Sequence, residues 1–379
     1  EVSAMKKKIL IVAASIGSGH MQAAKAVRDE FLRKSHDATI NIVDFMDQDS
    51  SLGHIIKETY LNMIDYIPNA YDLLYRYSQE PRYGSNVKSL LALIMKKRMR
   101  KLCQKYQPDL LVFTHPFPCC AAAYLKAKGQ IAIPLAAVIT DFSFHQMWLH
   151  PAVDSYFVAN EETREELLRN GIAASRVYVT GIPIAAKFSE SAVSTRERSP
   201  KLPTILVMGG GFGLGALEET VSNLLQAERQ MKIIVLTGKN DSLLKKIMLL
   251  RDDTYHQLSA IGYTERVHEI MAAATLLITK PGGLTCSEAL AMQLPMLLLK
   301  PLPGQEEENA DYLTQQGVAL RLSDLSALAS ITDSLLAEQE ILQLMRRRAK
   351  AIGKAAAAGT VTAILTDELN ETADIYSAM

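Results

Sequence analysis

The strongest constraint on the fold is a pattern that occurs twice. A short run of consecutive apolar residues passes into a glycine-rich turn and then into helical periodicity. Lys7-Lys8-Ile9-Leu10-Ile11-Val12-Ala13-Ala14 runs into Ser15-Ile16-Gly17-Ser18-Gly19-His20, followed by a helix predicted from about Met21 to Leu32. Thr204–Met208 runs into Gly209-Gly210-Gly211-Phe212-Gly213-Leu214-Gly215, followed by helical sequence from Ala216 to Gln230. A strand that is apolar at every position has to be covered on both faces, as parallel strands between helices are. Further strands are predicted at 40–43, 109–114, 134–140, 156–158 and 177–179, and then at 232–236, 256–260, 276–279 and 295–299. Strands alternating with helix-length segments give an α/β fold of two Rossmann-like, doubly wound domains.

The domains are expected at 5–187 and 204–355, joined by a polar, Ser/Arg/Pro-rich linker at 188–203, with a C-terminal helix at 356–379 packing back on the first domain. Glu1–Ala4, before Met5, is expected to be an appended remnant. Such sheets bind ligands outside the C-terminal ends of their strands, so a cleft between the domains is the expected site. The length of 379 residues suits two cores, and 48% hydrophobic residues exclude disorder. Cys103, Cys119, Cys120 and Cys286 show no CxxC spacing, so they are expected to be reduced cysteines rather than zinc ligands or disulfides. The longest nearly uninterrupted apolar run, 131–140, is half of what a spanning helix needs, and no cleavable signal is expected.

Basic and acidic residues balance at 41 each, but unevenly along the chain. Residues 1–200 carry 25 basic and 20 acidic side chains. The excess lies between Arg76 and Lys105, including Arg82, Lys88, Lys96, Lys97, Arg98, Arg100 and Lys101, around the apolar run Leu90–Met95. Tyr60, Tyr66, Tyr71, Tyr75, Tyr77 and Tyr83 lie upstream or at its start. Basic charge beside apolar and aromatic residues suits an anionic membrane surface. A solvated helix whose leucines face the core has the same composition. The near-neutral pI of 7.3 argues against a nucleic-acid partner.

A strand–glycine turn–helix presents free N–H groups and a positive dipole end to phosphate. Gly211-Phe212-Gly213-Leu214-Gly215-Ala216 formally matches a dinucleotide pattern, but the next strand ends Leu236-Thr237-Gly238-Lys239 without the acidic residue that NAD binding requires. The first loop places His20 at a helix start, aimed at the expected cleft. In Thr279-Lys280-Pro281-Gly282-Gly283-Leu284-Thr285-Cys286-Ser287-Glu288, the turn amides can hold a diphosphate and Glu288 two ribose hydroxyls. Thr285 with Glu288 also has capping-box spacing. Asp141, in Thr140-Asp141-Phe142-Ser143-Phe144-His145-Gln146-Met147-Trp148-Leu149-His150, either orients a histidine or caps the following turn.

The Gly17–His20 loop, the Thr140–His150 stretch, Thr180-Gly181-Ile182-Pro183, the Gly209–Gly215 loop, Lys280-Pro281-Gly282-Gly283 and Pro303-Gly304-Gln305-Glu306 occur in an order and spacing that resemble one family. It comprises processive diacylglycerol glucosyltransferases and monogalactosyldiacylglycerol synthases, GT-B enzymes related to the lipid-II-forming N-acetylglucosaminyltransferase. The resemblance implies an inverting transfer of hexose, glucose before galactose, from UDP-glucose or UDP-galactose to diacylglycerol or a glycosyl-diacylglycerol, on the inner face of the cell membrane. By that likeness His20 is the general base, with Asp141 beside it. Gly19, Gly210, Gly211, Gly213, Lys280, Gly282, Gly283 and Thr285 face the donor phosphates, and Glu288 the ribose. Gly262, Tyr263 and Val267 hold uracil, and Gln305, Glu306 and Asn309 face the sugar, although three consecutive acids, Glu306–Glu308, leave open which one touches it. Tyr83, Lys96, Lys97, Arg98, Arg100, Lys101 and Trp148 are expected on the acceptor and membrane side. No cofactor or metal is expected, since no DxD-type pair sits in a suitable loop and Asp252-Asp253 lies in a polar connection. Alternatives are a GT-B relative with a polyprenyl-linked or small-molecule acceptor, a UDP-sugar epimerase, and a non-catalytic nucleotide-sugar-binding protein.

Overall fold

The computed structural model describes residues 6–15, 17–34, 38–47, 81–194, 202–209, 217–251 and 254–377. The described chain divides into two units: one of residues up to Ala186 with Pro303–Gln305 and the segment from Ala356 onward, the other of Lys187–Leu302 and Glu306–Ala355.

The first unit is built on a six-stranded parallel sheet. Its strands are β1 (Lys7–Ala13), β2 (Ala38–Asp44), β3 (Leu110–Phe113), β4 (Leu135–Val138), β5 (Ser155–Val158) and β6 (Val177–Val179), in the order β2-β1-β3-β4-β5-β6. Between them run α1 (Gly19–Lys34), α2 (Pro81–Tyr106), α3 (Pro116–Ala127) and α4 (Glu161–Arg169). The period of two along β1 explains its unbroken apolar run. Leu10 and Val12 join Leu111, Phe113 and the α2 residues Met95 and Met99 on one face. Ile9 and Ile11 join Leu110, Val112, Val27 and Phe31 on the other.

Beyond β6, α5 (Ala186–Ser194) occupies the first half of the segment expected to be a flexible linker. Its polar composition conceals one apolar anchor, Phe188, which is buried. Residues 195–201 lie outside the described ones.

The second unit repeats the architecture with β7 (Thr204–Met208), β8 (Lys232–Gly238), β9 (Gln257–Gly262), β10 (Leu276–Thr279), β11 (Met296–Leu298) and β12 (Ala319–Arg321), in the order β12-β11-β10-β7-β8-β9. Its helices are α6 (Leu217–Leu224), α7 (Asp241–Leu249), α8 (Val267–Ala273), α9 (Gly283–Ala291), α10 (Gln305–Gln315), α11 (Leu328–Ala337) and α12 (Gln339–Ile352). β12 was not expected from sequence; it is a three-residue edge strand, too short to carry a pattern. The last helix, α13 (Ala357–Ser377), belongs to the first unit. It buries Val361, Leu365 and Leu369 against Phe31 and Val27. Lys34 Nζ donates to the Gly359 carbonyl at 2.9 Å, and Ser155 Oγ and Tyr178 OH donate to the Glu368 carboxylate, each at 3.2 Å. Gly359 permits this approach, because a β-carbon there would stand 3.2 Å from Glu30 Oε1.

Candidate active site

In the first unit the strand order changes direction at β1 and β3, the point where open α/β sheets bind ligands. The turn leaving β1 is pinned at its start by Asp44, whose Oδ1 accepts from Ser15 N at 3.0 Å and from Met46 N at 2.9 Å. Gly17 has φ +83°, a conformation other residues resist, and the chain enters α1 two residues later. His20 therefore stands in the first turn of α1, beside the C-terminal ends of β3 and β4.

There its ring is held on one edge. Nδ1 lies 2.7 Å from the Thr114 carbonyl and 2.9 Å from Thr140 Oγ1, and Thr114 Oγ1 donates to the His20 carbonyl at 2.9 Å. A carbonyl oxygen only accepts, so Nδ1 carries the proton and Nε2 keeps a free lone pair. Burial pushes the His20 pKa down to about 4, against a smaller opposing effect of the Thr114 carbonyl. The imidazole is therefore neutral at pH 7, the form a base needs. His115 packs edge-on with ring centroids 4.6 Å apart, and its own Nδ1 accepts from Phe117 N, capping α3. Sequence reading offered Asp141 either as an orienting group or as a turn cap. The groups observed at Nδ1 belong to Thr114 and to Thr140, the residue before it. A backbone carbonyl leaves no mark in sequence, and a threonine after a strand resembles any strand end.

In the second unit the corresponding switch lies between β7 and β10. The loop after β7, with Gly210, Gly211 and Gly213, lies outside the described residues. After β10, α9 opens at Gly283 with Gly282 as its N-cap and no side chain capping it. Thr285 is thus the third helical residue, and the capping-box alternative for Thr285 and Glu288 does not form. An uncapped helix start directs its first N–H groups outward, as an anion site requires.

One turn on, burial pushes the Glu288 carboxyl up to about 8, and the charge of Lys187 acts in the opposite direction. Lys187, placed by sequence at the end of the first domain, belongs to this unit, and its Nζ donates to the Glu265 carbonyl at 2.6 Å. Lys280 Nζ pairs with Glu306 Oε1 at 2.8 Å, while Glu306 Oε2 accepts from Leu302 N at 3.0 Å. Asn309 is fully buried and donates to the Pro281 carbonyl at 3.1 Å. Of the three consecutive acids, Glu306 is tied to the strand end and Glu307 faces Arg321 at 3.7 Å. Gln305 opens α10. At the end of β9, Gly262 pairs with Gly238, Tyr263 is exposed with Lys239 Nζ 5.8 Å from its ring centre, and Val267 opens α8. Among the described residues no group of three or more His, Cys, Asp or Glu is placed to hold a metal ion.

The basic segment forms α2. Ala92, Met95, Met99 and Cys103 bury one side. Leu90 (61% exposed), Leu93 (44%) and Ile94 (40%) stay outside, and exposed Lys97, Lys101 and Lys105 continue their stripe at helical spacing. Other members of the expected surface lie elsewhere. Trp148 is 1% exposed inside the first core, so it is a packing residue and not a membrane contact. Arg98 turns inward to the Asp44 carbonyl and the Phe45 ring. Lys96 lies over the Tyr124 ring, and Arg100 donates to Gln130. The side chain of Tyr83 and the tyrosines from 60 to 77 lie outside the described residues. No helix among the described residues is long and apolar enough to cross a membrane.

Comparison with known proteins adds the following. Residues 20–184 match the family model for monogalactosyldiacylglycerol (MGDG) synthase, and residues 204–362 that for the glycosyltransferase family 28 C-terminal domain. A processive diacylglycerol beta-glucosyltransferase of Bacillus cereus (strain B4264) is 34% identical over 367 residues, 95% of this chain and 94% of that protein. The enzyme of the same name from Bacillus cytotoxicus is 31% identical with the same coverage. Among solved structures, Acinetobacter baumannii MurG superposes with a TM-score of 0.62 at 17% identity, covering 95% of this chain and 99% of that one. Phytolacca americana UGT2, complexed with UDP-2-fluoro-glucose and pterostilbene, gives 0.58 at 14%, covering 98% and 100%. At these identities the structural matches establish shared architecture, that of GT-B enzymes.

Proposed function

The chain belongs to the family of processive diacylglycerol glucosyltransferases and monogalactosyldiacylglycerol synthases, and from that premise we propose that it moves glucose from UDP-glucose to diacylglycerol or a glycosyl-diacylglycerol at a membrane surface. It is a UDP-sugar-dependent glycosyltransferase. The observation that carries the mechanism is the Thr114 carbonyl 2.7 Å from His20 Nδ1, an acceptor that keeps the proton on that nitrogen and leaves Nε2 as the basic one.

Nε2 takes the proton of the acceptor hydroxyl as that oxygen attacks the anomeric carbon. The bond from that carbon to the phosphate oxygen breaks, and UDP leaves with the electron pair from the opposite face, inverting the centre. The charge growing on the diphosphate falls to the uncapped start of α9 and to the glycine loop after β7. Glu288 accepts from the ribose hydroxyls, Tyr263 lies against uracil, and Glu306 faces the sugar while buried Asn309 holds the Pro281 turn beneath it, with no metal required.

The stripe of Leu90, Leu93, Ile94, Lys97, Lys101 and Lys105 brings the first unit to an anionic lipid surface. Apolar side chains enter the interface and ammonium groups stay at the headgroups. On this reading the protein acts peripherally, on the cytoplasmic face of the cell membrane. Each of UDP-glucose, UDP-galactose and UDP-N-acetylglucosamine offered with diacylglycerol in mixed micelles tests the reading. Glycolipid formation and UDP release are expected from UDP-glucose. UDP release without glycolipid, or none from any donor, would overturn it.

A further inference from the structure

His20 has two oxygen partners at one nitrogen, and only one of them is a side chain. Thr114 contributes a backbone carbonyl at 2.7 Å. Since that oxygen cannot donate, the Nδ1 proton lies between it and Thr140 Oγ1 at 2.9 Å, and the threonine hydroxyl accepts a share of it. Were Nδ1 unprotonated, its lone pair would face the carbonyl lone pairs at 2.7 Å. Thr140 is buried two residues beyond the end of β4, next to Ile139, whose N–H donates to the Phe157 carbonyl at 2.9 Å, so the hydroxyl is delivered by a short side chain on a packed segment.

Resting on the reading of His20 as the base, we infer that Thr140 is the positioning residue of the reaction, holding the His20 ring and stabilising the positive charge that ring acquires in the transition state. As Nε2 takes the acceptor proton, Nδ1–H becomes a more acidic donor, and its bonds to Thr114 O and Thr140 Oγ1 strengthen together. The Nδ1 proton itself does not move. This is the service a carboxylate gives a histidine base elsewhere, here performed by two neutral acceptors. A carboxylate at Nδ1 would draw the histidine toward its charged form, whereas neutral acceptors leave it uncharged at rest and reward the charge only when it forms. The other ring contact, the edge of His115, limits tilt.

The test is Thr140→Val, which keeps the shape and removes the hydroxyl, with Thr140→Ala as a second variant and Thr140→Ser as the conservative one. In Thr140→Val, kcat is expected to fall about 10- to 100-fold, the effect of one hydrogen bond to a charged group, while the Kd for UDP stays unchanged. In ¹⁵N-histidine NMR the downfield Nδ1–H resonance of His20 should move upfield and exchange faster with water, and Thr140→Ser should restore both rate and resonance. Wild-type kcat and resonance in Thr140→Val or Thr140→Ala would overturn the inference, as would failure of Thr140→Ser to restore them. His20→Ala, assayed alongside, separates the two readings. If His20→Ala is inactive while Thr140→Val turns over normally, this inference alone falls; if His20→Ala turns over normally, the base assignment falls first.

Discussion

The two units are built alike and equipped differently. Each is a six-stranded parallel sheet whose order reverses beside its first strand, and in the sequence each of those strands is followed by a glycine-rich stretch. At the first switch point the turn delivers a histidine whose ring is clamped on one edge by two oxygens. At the second, β10 leads into a helix with no side-chain cap and a carboxyl buried one turn in. The first arrangement holds a proton acceptor neutral; the second offers amides to an anion and a carboxyl to hydroxyls. The shared scaffold determines where chemistry is placed, and a few side chains at the strand ends determine which chemistry.

The comparison breaks most visibly if the roles are not separable. His20→Ala should lower kcat by about 10²- to 10⁴-fold, the usual contribution of a general base, while calorimetry finds UDP binding unchanged. A parallel loss of UDP affinity would mean that the first switch point also holds the donor. Because burial depresses the His20 pKa to about 4, kcat/KM for the acceptor at saturating donor should be level through neutral pH. It should fall as pH drops through about 4, where the imidazole becomes protonated and ceases to be a base. An acidic limb near 6.5 instead would place the ring in water.

The next largest effect concerns the α2 surface of the first unit. Lys97→Gln, Lys101→Gln and Lys105→Gln together should weaken partition onto anionic vesicles about 100-fold, at roughly 1 kcal/mol for each cation near the surface. Turnover of a short-chain, micelle-free diacylglycerol should be spared. Sedimentation with vesicles of increasing anionic content reads this directly, and an unchanged slope would mean that α2 is simply a solvated helix.

Much of this was legible in the sequence, for a physical reason. Strands buried on both faces cannot hide their composition, so β1, β7 and β10 appear as apolar runs, and the glycine turns after them as interruptions of those runs. The basic and apolar composition of α2 was legible as well, but that Leu90 and Lys97 face outward was not. What stayed hidden is whatever depends on backbone or on tertiary direction. The Thr114 carbonyl has no residue signature, Trp148 looks interfacial until Tyr156 OH is seen donating to its carbonyl in the core, and Phe188 is one anchor in a segment otherwise typical of a linker. Capping-box spacing at Thr285 and Glu288 misled because the helix begins two residues earlier, at Gly283.

The smallest expected effect sharpens the account of the second unit. Burial holds the free Glu288 carboxyl protonated below about 8, yet accepting two ribose hydroxyls favours its ionised form. UDP binding should therefore release a proton near pH 7, and affinity should rise several-fold between pH 6.5 and about 8 and then level off. Calorimetry in buffers of different ionisation enthalpy measures the proton directly. Glu288→Gln should bind UDP more weakly, with neither the proton release nor the pH slope. If the slope survives in that variant, the titrating group lies elsewhere. Lys187 is the control on the sign: its charge opposes the upward shift, so Lys187→Met should move the rise in affinity to higher pH.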